Sequence, residues 1–281
     1  MTTPNDLHPP SVASSGSLPL DQIICGDNCE IMRQMPSESI DLVVTSPPYD
    51  DLRTYGGHSW DFYGVAWNLK RLLKPGGVIV WVVNDKTDDG SETGTSFSQA
   101  LHFKGIGLRL HDTMIYEWIK PFPESNRYHP ATEYMFVFSN GKPRAANIIK
   151  DRPNKIAGTP KRSRMERKPD GGIRRPDRRY EVAEYSARFN IWKIPNGFGT
   201  TAKEKIAFEH PAIFPEALAR DHILSWSNPG DVVLDPFSGS GTTAKMARET
   251  GRRFIGIEVN PEYVEISRIR LAQQGLPLDV A

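Results

Sequence analysis

The sequence predicts an α/β fold: a parallel or mixed sheet covered by helices, interrupted by one basic segment. Three observations predict it. Strand-like runs of β-branched and aromatic residues alternate with runs of helical spacing up to Ser139, and again in the C-terminal third. A strand, a glycine turn, a helix and a second strand follow one another over Val232–Val259. Between the alternating stretches, Asn140–Arg179 holds five prolines, four glycines and no aromatic residue, which breaks the pattern.

The elements follow in order. Asp21–Asp27 reads as a short strand ending in Gly-Asp, and Asn28–Met35 as a helical turn with Asn28 as N-cap. Ile40–Thr45 is a strand that Pro47 and Pro48 turn out of the sheet. Trp60–Lys74 has helical spacing and stops at Lys74-Pro-Gly-Gly77, after which Val78–Val83 is a buried strand. Ser96–Gly107 reads as a helix, and Asp112–Ile119 and Ala131–Ser139 as strands. Phe189–Pro195 is a strand returning to the body, and Pro215–Ser227 an amphipathic helix. Asp231–Asp235 is a strand, Thr243–Glu249 a helix, Arg253–Ile257 a strand and Pro261–Gln274 the final helix.

Composition narrows the class. The chain has 281 residues, 38% hydrophobic and 25% charged, which suits one α/β domain with insertions or two domains. Its longest strongly apolar run, Gly77–Val83, is far short of the roughly 20 residues that span a bilayer. Residues 1–20 carry no Lys or Arg and no apolar run, so they read as a disordered tail and not as a secretory signal. The two cysteines, Cys25 and Cys29, exclude a disulfide framework and a four-cysteine zinc site, and the seven histidines show no metal-ligand spacing. A cytoplasmic protein without a resident metal is expected. The net charge of +1 divides unevenly. Lys142–Arg179 has 14 basic and four acidic residues, and the remainder has 21 basic and 30 acidic. An acidic body with one basic segment predicts a polyanionic partner, nucleic acid first, although a solvated charge run has the same composition.

Two constellations carry chemistry. In the first, a strand ends at Asp235, Gly239-Ser-Gly241 turns the chain, and a second strand ends at Glu258, 19 residues after Gly239. A Rossmann unit places its glycine turn and ribose-binding acid about 20 residues apart. The third glycine of GxGxxG is missing, and no Gly-Lys-Ser/Thr follows. A nucleoside without a pyrophosphate therefore fits best. S-adenosyl-L-methionine is such a ligand, and Asp235 would serve its positive charges. The second constellation is Thr45-Ser-Pro-Pro-Tyr49. Its prolines have fixed φ and no N–H, so their carbonyls are acceptors aimed in fixed directions. With the Ser46 oxygen and the Tyr49 ring they suit a planar base carrying an exocyclic amine. Asp27, Ser46, Asp235 and Glu258 all fall at C-terminal strand ends, the edge where open α/β sheets bind ligands.

These motifs resemble those of the DNA amino-methyltransferases, in the order of the beta class. The catalytic motif (Asp/Asn/Ser)-Pro-Pro-(Tyr/Phe) matches Ser46-Pro47-Pro48-Tyr49, and the cofactor motif matches Asp235–Thr243. The resemblance covers Ile23–Ser139 and Asn190–Gln274. It implies a Rossmann-like S-adenosyl-L-methionine-dependent methyltransferase fold with circularly permuted motifs, seven strands and one antiparallel strand, for which Ala131–Ser139 is the candidate. Residues 21–139 would form the catalytic half, 140–189 a basic target-recognition region and 190–281 the cofactor half. Ser46 and the Pro47 carbonyl would hold the target amine, while Tyr49 would stack on the flipped base. Thr45, Asp235, Phe237, Gly239 and Gly241 would surround the methionine end of the cofactor. Thr242 would meet the cofactor carboxylate at a helix N-terminus. Glu258 would take the ribose, and Asp27 and Asn28 would flank the adenine.

The implied activity is site-specific methylation of duplex DNA by base flipping and direct transfer. Serine after threonine favours cytosine N4 within the family, with adenine N6 as the alternative. Neither cysteine follows a proline, as the nucleophile for carbon-5 transfer typically does. Arg162, Arg164, Arg174, Arg175, Arg178 and Arg179 would contact DNA. Self-association and a cognate restriction endonuclease are compatible with the family. A methyltransferase for small molecules or proteins would not need the basic segment. A non-enzymatic nucleic-acid-binding protein would not need Asp235 and Glu258. Tyr49→Phe is expected to be mild, since stacking needs only the ring.

Overall fold

The computed structural model describes residues 17–49, 60–118, 126–163, 165–174, 179–197 and 199–273. The chain divides into a larger unit, Met1–Asn147 with Asn190–Ala281, and a smaller one, Ile148–Phe189.

The larger unit is built on an eight-stranded sheet. Its strands are β1 (Gln22–Cys25), β2 (Ile40–Thr45), β3 (Leu73–Val83), β4 (Arg109–Glu117), β5 (Thr132–Ser139), β6 (Ile191–Lys193), β7 (Val232–Asp235) and β8 (Arg253–Glu258). The order across the sheet is β1-β8-β7-β2-β3-β5-β4-β6. Every neighbouring pair is parallel except the two that involve β5. The antiparallel strand is therefore the expected one. The strand beyond the expected seven is β6, which pairs with β4 at the sheet edge.

Alternation along the strands produces two covered faces. Leu42, Val44, Val78, Val80 and Val82 pack with α4 (Glu216–Trp226), α5 (Thr242–Glu249) and α6 (Pro261–Ala272). Val43, Ile79, Trp81, Leu234 and Ile257 pack with α1 (Asn28–Gln34), α2 (Phe62–Leu72) and α3 (Thr95–Gly105).

Several local expectations change. The N-cap of α1 is Asp27 rather than Asn28, because the Asp27 carboxylate accepts the Glu30 N–H over 2.9 Å. β3 begins directly at Leu73, where the sequence reads a stop, and runs through Lys74-Pro-Gly-Gly77 along the end of β2. The boundary expected at 140 moves to Ile148. Arg144, counted with the basic segment, instead pairs with Asp41 and Asp231 of the larger unit.

The smaller unit consists of short antiparallel pairs. Lys150–Pro153 pairs with Tyr185–Ala187, Pro160–Arg162 with Arg179–Glu181, and Glu166–Arg167 with Ile173–Arg174. It has 13 Lys/Arg and six Asp/Glu. It also exposes Tyr180, Tyr185 and Phe189, so it is not the aromatic-free segment that Asn140–Arg179 suggested.

Candidate active site

The four chain segments expected to build the site meet because β1, β8, β7 and β2 are adjacent and parallel. Their C-terminal ends therefore lie on one edge. Register places Val43 of β2 beside Leu234 of β7, and each strand runs on by two residues or fewer. This brings the Thr45 hydroxyl to Asp235, where it donates to Oδ1 over 2.6 Å. The Phe237 N–H donates to the same oxygen over 3.1 Å. Burial pushes the Asp235 carboxyl up to about 6, and the nearby charge of Glu258 adds to the rise. Hydrogen bonds from Thr45, Phe237 and Thr243 oppose it.

After Asp235 the chain turns through two glycines with positive φ, Gly239 at 49° and Gly241 at 77°. At Gly239 a Cβ would stand 2.9 Å from Nε2 of His210, and at Gly241 one would stand 2.9 Å from the Ser267 side chain. Both positions therefore need glycine for conformation and for space. Glu258 braces the turn: its Oε2 accepts the Gly239 N–H over 2.8 Å, and its Oε1 accepts the Asn260 N–H over 2.9 Å. Asn28 ties the opening segment to the same turn, donating to the Pro236 carbonyl over 3.2 Å.

On the other side of the edge, the Ser46 and Tyr49 hydroxyls lie 2.8 Å apart, and the Tyr49 hydroxyl donates to Glu133 Oε2 over 2.9 Å. Glu133 belongs to β5 and was not singled out from the sequence. It is the one charged residue of that strand, next to the apolar run Tyr134–Phe138, which is the signal that could have found it. The Tyr49 hydroxyl is thus engaged by Ser46 and Glu133, a contact that the expectation for its ring did not include.

All of this surrounds one cavity of about 820 Å³. Asp27, Asn28, Ser46, Pro47, Pro48 and Tyr49 line it from the first half of the chain, and Asp235, Phe237, Gly239, Thr242 and Glu258 from the second. Two expected residues do not line it. Thr45 is fully buried and hydrogen-bonds to Asp235. Gly241 packs against Ser267 at the start of α5. Thr242 lines the cavity, and its hydroxyl accepts from Arg270 over 3.0 Å, which leaves the hydroxyl proton and the backbone N–H as donors for an anion. Trp60, Tyr116 and His210 also contribute walls that sequence reasoning did not assign to the site. Arg162, Arg174 and Arg179 are exposed on the short strands of the smaller unit, whereas Arg164, Arg175 and Arg178 lie outside the described residues.

A family model for DNA methylases matches residues 40–268. The chain belongs to the N6/N4 DNA methylase family.

Among relatives of this DNA methylase, an orphan methyltransferase, M.BamHII of Bacillus amyloliquefaciens, is 56% identical over 83% of the chain and 89% of its own length. The type II methyltransferase M.SmaI of Serratia marcescens is 28% identical over 90% of the chain and 91% of its own length. Among solved structures, the PvuII cytosine-N4-specific DNA methyltransferase has a TM-score of 0.66 at 23% identity, covering 92% of this chain and 87% of that one. A structure described as a DNA modification methylase from Thermus thermophilus, with S-adenosyl-L-methionine, has a TM-score of 0.59 at 25% identity, covering 91% and 95%.

S-adenosyl-L-methionine is the cofactor of this methylase, and the residues present fit it. A buried acid, Asp235, faces the cavity for a cationic group, and the glycine turn lines the same cavity at Gly239. When bound, the cofactor supplies an electrophilic methyl group. Among the described residues no helix is long and apolar enough to cross a membrane.

Proposed function

We propose that this methylase transfers the methyl group to N4 of cytosine within a specific site of duplex DNA, with the target base turned out of the helix. The observation that carries the reading is the neutral hydroxyl of Ser46, preceded by Thr45, at the cavity wall. Within the family a serine here leans towards cytosine and an aspartate towards adenine. Extruding the base costs a few kcal/mol, and the cavity beside Tyr49 offers a stacking surface in return.

The exocyclic amine is a poor nucleophile because its lone pair is conjugated with the ring. Acceptors at Ser46 Oγ and the Pro47 carbonyl favour a tetrahedral nitrogen and free that lone pair. Pro47 and Pro48 hold the acceptors in near-attack geometry, which can supply several kcal/mol of the barrier. Asp235 holds the positive methionine end, Phe237 and Gly239 line it, Glu258 takes the ribose, and Asp27 and Asn28 flank the adenine. Thr242 meets the carboxylate through its hydroxyl or its backbone N–H.

The smaller unit is assigned to DNA. Arg162 stands directly opposite Arg179, an arrangement that costs free energy unless an anion lies near both. Arg164, Arg174, Arg175 and Arg178 are placed in the same interface from their position in the sequence. The similarity to an orphan methyltransferase favours action without a paired endonuclease.

The test is chemical. DNA methylated by the purified chain is digested to nucleosides and analysed by mass spectrometry. N4-methylcytosine is expected, N6-methyladenine would transfer the reading to adenine, and unmodified nucleosides would end it.

A further inference from the structure

Glu133 stands on β5 directly across from Tyr116 of β4 and lines the same cavity as Ser46 and Tyr49. The Tyr49 hydroxyl donates to its Oε2 over 2.9 Å and lies 2.8 Å from Ser46 Oγ. A carboxylate only accepts, and a phenol has a single proton. With that proton directed at Glu133, the Tyr49 oxygen accepts the Ser46 proton. Ser46 then presents lone pairs to the cavity rather than a proton.

We propose that Ser46, Tyr49 and Glu133 form a directed hydrogen-bond chain that fixes Ser46 as an acceptor and carries the surplus proton of the methylated amine to the Glu133 carboxylate. The proposal rests on the reading of Ser46 as the residue that holds the target amine. Glu133 is a positioning residue, acting through Tyr49. The direction of the chain selects a donor at the exocyclic position. Cytosine presents an amine there and is accepted, whereas uracil and thymine present a carbonyl, which would face the Ser46 lone pairs. The motif admits phenylalanine at the fourth position, where no such chain can form, so the device belongs to chains that combine this tyrosine with an acid on the facing strand.

The step balances. The nitrogen lone pair forms the new N–C bond as the methyl carbon leaves sulfur, which keeps the bonding pair and becomes a neutral thioether. The amine nitrogen, now carrying one proton too many, passes it to Ser46 Oγ. The Ser46 proton passes to the Tyr49 oxygen, and the Tyr49 proton passes to Glu133, which later loses it to water.

The experiment compares the parent with Tyr49→Phe, Glu133→Gln and the double variant. It uses tritiated S-adenosyl-L-methionine and genomic DNA from a methylation-deficient bacterial host, and separates the rate of transfer under single-turnover conditions from the KM for each substrate. Glutamine still accepts from Tyr49 but cannot take up the proton. Each single variant should lose about a hundredfold or more in rate, the lower end of what a positioned acid–base group contributes. KM for DNA and cofactor should not move, and the double variant should be no slower than the slower single one, because the groups act as a unit. A single variant at the parental rate, an additive double variant or a loss confined to KM would overturn the chain. A parent that transfers no methyl group to any DNA would instead remove the reading beneath it. If Glu133→Gln fails to bind cofactor in calorimetry, Tyr49→Phe decides alone.

Discussion

At Asp235 burial opposes the negative charge that the proposed contact with the cofactor needs. Pushed up to about 6 against an ordinary 3.8, it is ionised in only about a tenth of molecules at pH 5 and in most at pH 7. Calorimetric affinity for S-adenosyl-L-methionine should therefore fall about tenfold between pH 7 and pH 5. In Asp235→Asn the binding should be nearly lost and its pH dependence gone. Stability moves the other way. Between pH 3.8 and about 6 the folded chain keeps a proton that the unfolded chain has released, so stability falls as pH rises through that window. A two-unit rise corresponds to about 3 kcal/mol. Asp235→Asn should thus melt higher than the parent at pH 7.5, and a lower melting temperature there would contradict the burial account. Asp235 and Ser46 were legible because each sits in a motif at a strand end. Glu133 was not, because its partners at 46 and 49 lie far off in sequence and only the pairing of β5 into the sheet brings it to the cleft.

Among the helices, a buried charge cluster joins α4, α5 and α6. Lys245 Nζ lies 2.5 Å from Glu204 and 2.6 Å from Glu216, and Arg270 lies 2.8 Å from Glu216. Arg270 also donates to the Ser240 carbonyl over 2.6 Å and to the Thr242 hydroxyl, so the cluster holds the glycine turn from behind. Removing one acid leaves two buried cations short of a partner. Glu216→Gln should cost about 3–5 kcal/mol in urea unfolding, and a loss below about 1 kcal/mol would mean that water compensates. The strands and helices themselves were readable from alternation, helical spacing and punctuating glycines. The cluster was not, since a Lys on α5 and an Arg on α6 look like solvent-facing charges until the helices pack. β3 was clipped for a related reason: Pro75, Gly76 and Gly77 signal a stop locally, but pairing of Leu73 with Ile40 of β2 extends the strand back through them.

For the whole molecule, the late strands β7 and β8 enter between β1 and β2, so neither half of the sequence completes the sheet or the cleft alone. That the two motifs meet at one edge was legible from the rule that ligands bind at C-terminal strand ends, whereas the order of the strands was not. The extent of the basic unit was not, because proline and charge continue across residues 140–147 while Arg144 belongs with Asp41 and Asp231. The assignment of that unit to DNA predicts a steep salt dependence, with a log–log slope near −0.9 for each phosphate neutralised. Replacing Arg174, Arg175, Arg178 and Arg179 together by Ala should flatten the slope and weaken duplex binding, as read by fluorescence anisotropy, without changing cofactor affinity. An unchanged slope would move DNA recognition to another part of the chain.

On the proposed reading, the Ser46 motif and the Asp235 turn form one site for cytosine-N4 methylation of DNA. Single-molecule sequencing of genomic DNA from cells that express the chain, beside cells that express Ser46→Ala, tests it most directly. N4-methylcytosine at one short sequence in the first sample and its loss in the second is the predicted result. N6-methyladenine, unmodified DNA from the parent, or a signal that survives Ser46→Ala would contradict it.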